Sequence, residues 1–271
     1  MGTRWHRFAW RKVLLACWAA VLVLCVAGAR AEEPPRPVLK VAYTEFPPME
    51  FRNADGEPDG IYIEMTRKVA EEAGYEPEFI HLPVGRIYLY LKNGTVDLWP
   101  GLTGIPTLRN DVIESWISPV PVQLSAWYIK GTPPLRHFDG LRDKVVILIS
   151  GYTYGGLRQQ LEAMGDVQVT EAPNHRSGIE MLKRDRGDYL MDYRPPVVDI
   201  LTDPSDRLVR ESEVRTRNSA WLFSLANPRA AQLREEFDNA YLRLAERGEV
   251  PPARQLDRGY FLPGFPQDLL K

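Results

Sequence analysis

The 271 residues carry 34 basic and 36 acidic side chains, unevenly spread: residues 1–31 hold Arg4, Arg7, Arg11, Lys12 and Arg30 and no acid. The other 240 residues have 29 basic against 36 acidic groups, so the formal charge moves from −2 to −7. Phosphate backbones are gripped by clustered Lys and Arg, so an acidic surface argues against nucleic acid as a partner. Both cysteines, Cys17 and Cys25, lie in the first stretch, and His81, His137 and His175 never approach His-x3-His spacing. A structural zinc, a disulfide and a Cys nucleophile are excluded from the remainder, and no cofactor is expected.

Val13 to Gly28 is an unbroken apolar run of 16 residues behind Arg11-Lys12, ending in Ala29-Arg30-Ala31. A basic start, a short apolar run and small-x-small residues form an export signal, with cleavage expected after Ala31 and the mature chain in the periplasm. The run falls short of the roughly 20 residues a spanning helix needs. Cys25 follows Leu24 and Cys17 lies only a few residues into the run, so cleavage rather than lipidation is the expectation. Glu32 to Pro37, with three prolines, reads as an extended leader.

The fold is expected to begin at residue 38. Leu39 to Tyr43 reads as a strand that Pro47-Pro48 cannot continue, and Ile61, Met65, Val69 and Ala73 recur at helical spacing up to Gly74. Pro77 to Leu82 reads as a strand, Arg86 to Lys92 as a short helix closed by Asn93-Gly94, and Val96 to Trp99 as another strand. Pro106 to Asp111 opens a turn, and Val122 to Ile129 is an extended apolar segment. The pattern then restarts: strand Lys144 to Ile149, helix Gly155 to Met164, strand Val167 to Thr170, helix Ser177 to Arg184, strand Asp188 to Met191. Asn218 to Leu225 is strand-like, and Pro228 to Arg247 is a long helix with Leu233, Phe237, Ala240, Tyr241 and Leu244 on one face. Alternating strands and helices imply α/β architecture with crossover helices, and two such runs imply two lobes.

Several local motifs in this order resemble the extracellular solute-binding proteins of family 3, the polar-amino-acid type with the two-lobed type II periplasmic-binding fold and two hinge crossovers. The resemblance runs from about residue 38 to about 250. It is carried by Leu39-Lys40-Val41-Ala42-Tyr43 with Phe46-Pro47-Pro48-Met49-Glu50-Phe51, by Gly60-Ile61-Tyr62-Ile63-Glu64-Met65, by Asn93-Gly94-Thr95-Val96-Asp97-Leu98, and by Arg109 three residues after Pro106. Tyr62 stands where the family usually has Asp. In the second lobe Gly151-Tyr152-Thr153 and Arg186-Gly187-Asp188 are similar to the family's corresponding segments. The resemblance implies lobe 1 over 38–129, lobe 2 over 130–217 and a return to lobe 1 with a C-terminal helix and tail over 218–271. Hinge strands would lie near Ile129-Lys130 and Arg217-Asn218.

The same resemblance implies the site. Arg109 would hold a ligand carboxylate in the two parallel hydrogen bonds that a planar guanidinium offers. Thr103 and Gly104 cover positions that present hydroxyl and backbone groups to the ligand's amine, although the Thr103-to-Arg109 spacing is one residue longer than usual. Phe46 either stacks on the ligand or packs within lobe 1. Thr153, heading a helix, either contacts the ligand or caps that helix. Trp99 reads as core. In amino-acid binders an Asp in lobe 2 pairs with the α-amine; counting from Asp188 arrives at Tyr193, with Asp192 one place early and on the opposite strand face. Ordinary α-amino acids are therefore expected to bind poorly.

The implied function is a monomeric, non-enzymatic periplasmic protein that closes on a small carboxylated solute and hands it to an ABC permease, with no catalytic or metal-binding residues. Two other classes share this scaffold: an enzyme like the cyclohexadienyl dehydratases, and a ligand sensor. The dehydratases' Gly-Asp-Tyr-Arg-Pro segment has no counterpart after the first strand. Gly151-Tyr152-Thr153-Tyr154-Gly155 has the outline of a nucleophile elbow, with His175 the only histidine downstream.

Overall fold

The computed structural model describes residues 35–253, 259–266 and 269. The export signal and its cleavage point fall outside these residues.

In chain order the first lobe is built from β1 (Val38–Tyr43), β2 (Phe51–Arg52), β3 (Pro58–Asp59), α1 (Ile61–Glu72), β4 (Glu76–His81), α2 (Val84–Asn93), β5 (Leu98–Leu102) and β6 (Val112–Glu114). The second contains β7 (Pro121–Ile129), β8 (Val145–Ile149), α3 (Leu157–Ala163), β9 (Gln168–Ala172), α4 (His175–Lys183), β10 (Tyr189–Tyr193) and α5 (Arg194–Ile200). The 16-residue β11 (Val209–Ser224) belongs to both, and α6 (Ala230–Glu246) and β12 (Tyr260–Phe261) follow it. Among the described residues no helix is long and apolar enough to cross a membrane.

β1 lies parallel to β4 and β5, and the second half of β11 closes that sheet antiparallel to β5, from Ser219 opposite Leu102 to Phe223 opposite Leu98. In the other lobe β8 lies parallel to β9 and β10, and β7 lies antiparallel to β10 and to the first half of β11. Pro121–Ile129 is bonded along its length to Asn218–Val209, the segment that carries the chain back. An apolar strand does not announce its partner, and that is why the segment reads equally well on either side from sequence. The return falls where β11 leaves β7 after Asn218 and joins β5 at Ser219.

Helix α6 buries all five of the apolar residues expected on its inner face. They pack with Val69 and Ala70 of α1 and with Trp221 and Phe223 of β11. Across the sheet, α2 contributes Ile87 and Leu91 to a cluster with Trp99, Ile105 and Leu108. Besides the short strands β2, β3, β6 and β12, two longer segments were not legible from sequence. The first half of β11 carries Arg210, Glu211, Glu213, Arg215 and Arg217 and lacks an apolar run, and α5 starts on Arg194-Pro195-Pro196, which reads as a loop although proline suits a first helical turn.

Gly60 fixes the loop that precedes α1. Its φ of 119° is open to glycine, and a Cβ there would sit 2.5 Å from the Met49 carbonyl oxygen. That carbonyl accepts the Tyr62 N–H at 2.7 Å, so neither side of the contact is free to retreat. Gly60→Ala is expected to lower stability by about 2–3 kcal/mol through strain and overpacking, measured by urea unfolding. A loss below about 0.5 kcal/mol would show that the loop yields.

Candidate functional site

A cavity of about 70 Å³, open on one side, lies where the lobes face each other across the hinge. Lobe 1 supplies the loop after β1, with Phe46 and Glu50, together with Tyr62, Tyr88 of α2 and Trp99 of β5. Lobe 2 supplies Tyr152, Thr153 and Tyr154 from the turn after β8 and Tyr193 from the end of β10. The hinge strand β11 supplies Arg217 and Ser219.

The walls are aromatic and interlocked. Tyr154 stacks on Tyr193 at 5.8 Å with 12° between planes, and Phe46 meets Tyr193 edge-on at 5.4 Å across the two lobes. Tyr154 is fixed by its hydroxyl, which donates to the Met191 carbonyl at 3.1 Å and accepts the Ile149 N–H at 2.7 Å. Its φ of 50° is unusual for a side-chain-bearing residue, and these two bonds hold it there. The lobes touch through polar groups as well. The Tyr152 hydroxyl donates to the Glu45 carbonyl at 2.8 Å, and the Tyr88 and Thr153 hydroxyls stand 3.2 Å apart.

Charge enters from β11. Alternation along a strand puts Arg215, Arg217 and Ser219 on one face. Arg215 is fully buried: its Nη2 donates to the Tyr154 carbonyl at 3.0 Å, and its guanidinium lies 5.6 Å over the Phe265 ring. Arg217 lines the cavity and donates to the Thr103 carbonyl. Burial, and then the neighbouring Arg215 guanidinium, lower its pKa to about 10. Two adjacent guanidiniums in a partly desolvated site favour an anion.

The seven residues expected at the site divide. Phe46, Thr153 and Tyr193 line the cavity; Thr103, Gly104, Arg109 and Asp192 do not. Arg109 is exposed at the end of the short turn Pro106–Leu108, because Leu108 beside it is anchored in the core and turns the next residue outward. Gly104 is exposed, its N–H donating to Glu114 Oε1 at 2.6 Å, and Thr103 contributes through its carbonyl. Asp192 is wholly buried behind the wall. β10 pairs with β7 in unbroken register, so no bulge brings it forward. Its Oδ2 lies 2.8 Å from His175 Nδ1, and burial raises its pKa against the lowering effect of that histidine. His175 Nε2 in turn stands 3.3 Å from the Tyr152 hydroxyl.

Thr153 Oγ1 accepts the Gly155 N–H at 3.4 Å and meets Tyr88, while His175 contacts Tyr152 instead, so the nucleophile-elbow outline does not assemble a Thr–His pair. Trp99 is both core and wall. Sequence reasoning missed Glu50, Tyr88, Tyr152, Tyr154 and Arg217 as site residues. A usable signal was the spacing Arg215-x-Arg217-x-Ser219, which aims two guanidiniums and a hydroxyl at one side of a strand. Among the described residues no cluster of three or more His, Cys, Asp or Glu is placed to hold a metal.

Two α/β lobes joined by two crossing strands, with an aromatic and cationic cavity between them, define the type II periplasmic-binding fold. The chain belongs to the bacterial extracellular solute-binding proteins, family 3, whose model matches residues 39–251. It is similar to an ancestral arginine-binding protein bound to arginine (20% identity, 79% of this chain and 95% of that one, TM-score 0.66). It is also similar to a histidine kinase sensor domain resembling periplasmic binding proteins (18%, 81% and 98%, TM-score 0.66). A third likeness is to an ancestral amino-acid-binding protein that is a precursor of cyclohexadienyl dehydratase (18%, 78% and 91%, TM-score 0.62). No curated protein matches the chain by sequence.

Proposed function

We propose that this chain is a periplasmic solute-binding protein, exported by a signal cleaved after Ala31, which closes on a small carboxylated solute and presents it to an ABC permease. The observation that carries the reading is Arg217, a guanidinium lining an aromatic cavity between the two lobes. A carboxylate would complete its charge, and the stacked tyrosines would exclude water around the pair. The reading is non-enzymatic: the Thr153 hydroxyl has Tyr88 and a backbone N–H for company and lacks a histidine base.

Ordinary α-amino acids suit the cavity poorly. Tyr193 occupies the lobe-2 wall as a neutral phenol, and Asp192 is committed to His175. Burying an ammonium without a partner costs several kcal/mol, more than one phenol hydrogen bond restores. Mass spectrometry of small molecules released from the purified protein, with a thermal-shift panel of amino acids and their deaminated analogues, tests this. Stabilisation by the deaminated carboxylates is expected. Release of cations or sugars only, with no carboxylate raising the melting temperature, would end the reading.

A further inference from the structure

Glu50 is a buried carboxyl group with little to justify its burial in ionised form. It is 4% exposed and lines the cavity. Oε1 accepts the Thr44 N–H at 3.3 Å; neither Oε2 nor the Trp99 indole N–H makes a well-formed hydrogen bond, although the indole faces the carboxyl group closely enough to lower its pKa. Among the described residues no cation comes within ion-pair distance of it, and Arg217, which shares the cavity, is engaged with the Thr103 carbonyl. An isolated carboxylate removed from water neutralises instead of staying charged.

We propose that Glu50 is a specificity-determining residue of this cavity: it stands there as a carboxylic acid and donates through Oε2 to an uncharged oxygen of the bound solute, while Arg217 holds the solute's anionic group. The inference rests on the reading of the cavity as a carboxylate site and narrows it. The solute class is a carboxylate whose other end carries a keto, hydroxyl or amide oxygen. An apolar end leaves Oε2 unpartnered, and an ammonium end meets a donor where it needs an acceptor.

The protonation state makes the inference measurable. Burial raises the Glu50 pKa from 4.5 to about 8, with the Thr44 N–H and Trp99 pulling weakly the other way. The titratable groups around it are the phenols of Tyr43 on β1, Tyr62 on α1 and Tyr152 from lobe 2, all raised by burial and therefore neutral across this range. Arg217 keeps its charge through it. Folding takes up a proton at Glu50 between pH 4.5 and about 8, so this group's contribution to stability falls as pH rises through that window and is level above it. For a bound anion, ionising Glu50 also replaces a donor with a repelling charge.

The test has two arms on the full mature chain. In the first, the unfolding free energy of wild type minus that of Glu50→Gln is followed with pH and no ligand. It is expected to decline from about pH 5 to about pH 8, and a flat difference would overturn the proposal. In the second, calorimetry compares 5-oxohexanoate, 5-aminopentanoate and hexanoate. The keto acid is expected to bind at least about tenfold more tightly than the other two near pH 7, and to lose about tenfold per pH unit above pH 8. Glu50→Gln, which keeps an N–H donor, is expected to retain affinity within about threefold and to lose the pH dependence, while Glu50→Ala loses the preference for the keto acid. Tighter binding of the ammonium compound, abolished in Glu50→Gln, would show that Glu50 acts as an ionised partner and overturn the proposal. If all three compounds are silent in wild type, the carboxylate reading falls and this inference with it. If they bind, and Arg217→Ala weakens them while Glu50→Gln and Glu50→Ala leave the ranking unchanged, only this inference fails.

Discussion

Alanine at position 221 is expected to lower the free energy of unfolding by about 3–5 kcal/mol. Trp221 is fully buried on β11, opposite Pro100 of β5. Its ring contacts Tyr62, Phe237 and Tyr241 at centroid distances of 6.4, 5.8 and 5.7 Å, so one side chain ties α1 and α6 to the sheet. The loss has a polar part as well, because the indole N–H donates to Thr66 Oγ1 at 2.9 Å and Thr66 is itself fully buried. Truncation leaves that hydroxyl without its donor in addition to opening a cavity. Urea unfolding followed by circular dichroism should show a lower midpoint at unchanged slope. Trp221→Phe should recover part of the loss but not the Thr66 bond. A cost under about 1 kcal/mol would mean that the three neighbouring rings collapse into the space.

Arg217→Ala is expected to weaken a bound carboxylate by about 2–5 kcal/mol, roughly thirtyfold to several thousandfold in Kd. Arg217→Lys should restore charge but not the two-pronged geometry, and fall between. The same substitution relieves one of two adjacent guanidiniums in a desolvated site, so the unliganded protein is not expected to melt earlier. Arg109→Ala is the contrasting control. Exposed beyond the anchored Leu108, it should change affinity by less than about twofold. Calorimetry with a melting curve for each variant separates the outcomes. Loss of binding in Arg109→Ala but not in Arg217→Ala would restore the motif-based assignment.

That contrast shows where sequence stops being informative. Strands and helices with strong periodicity were legible, from β1 to the buried face of α6, because an apolar stripe has only one place to go. The family resemblance also carried the two-lobed architecture. Of the residues expected from local motif, Phe46 and Thr153 do line the cavity. Placement is not legible where it depends on what a neighbour does. Arg109 follows a proline as the motif requires, yet Leu108 takes the inward place in the core. Charged residues in a strand read as solvent-facing by default, so Arg215, 1% exposed, and Arg217 were passed over. Glu50 sat within a quoted motif, but nothing in one sequence shows that its oxygen lacks a partner.

The shared strand has a consequence for how the chain is made. Leu98–Leu102 of the first lobe find their antiparallel neighbour only in Ser219–Phe223, more than a hundred residues later, and α6 comes later still. During synthesis the first lobe therefore emerges without the strand that closes its sheet and without the helix that covers it, and pairing over such separations is slow. The first lobe's sheet is thus completed only after most of the chain has been made. The delay comes from the order of the strands in the sheet.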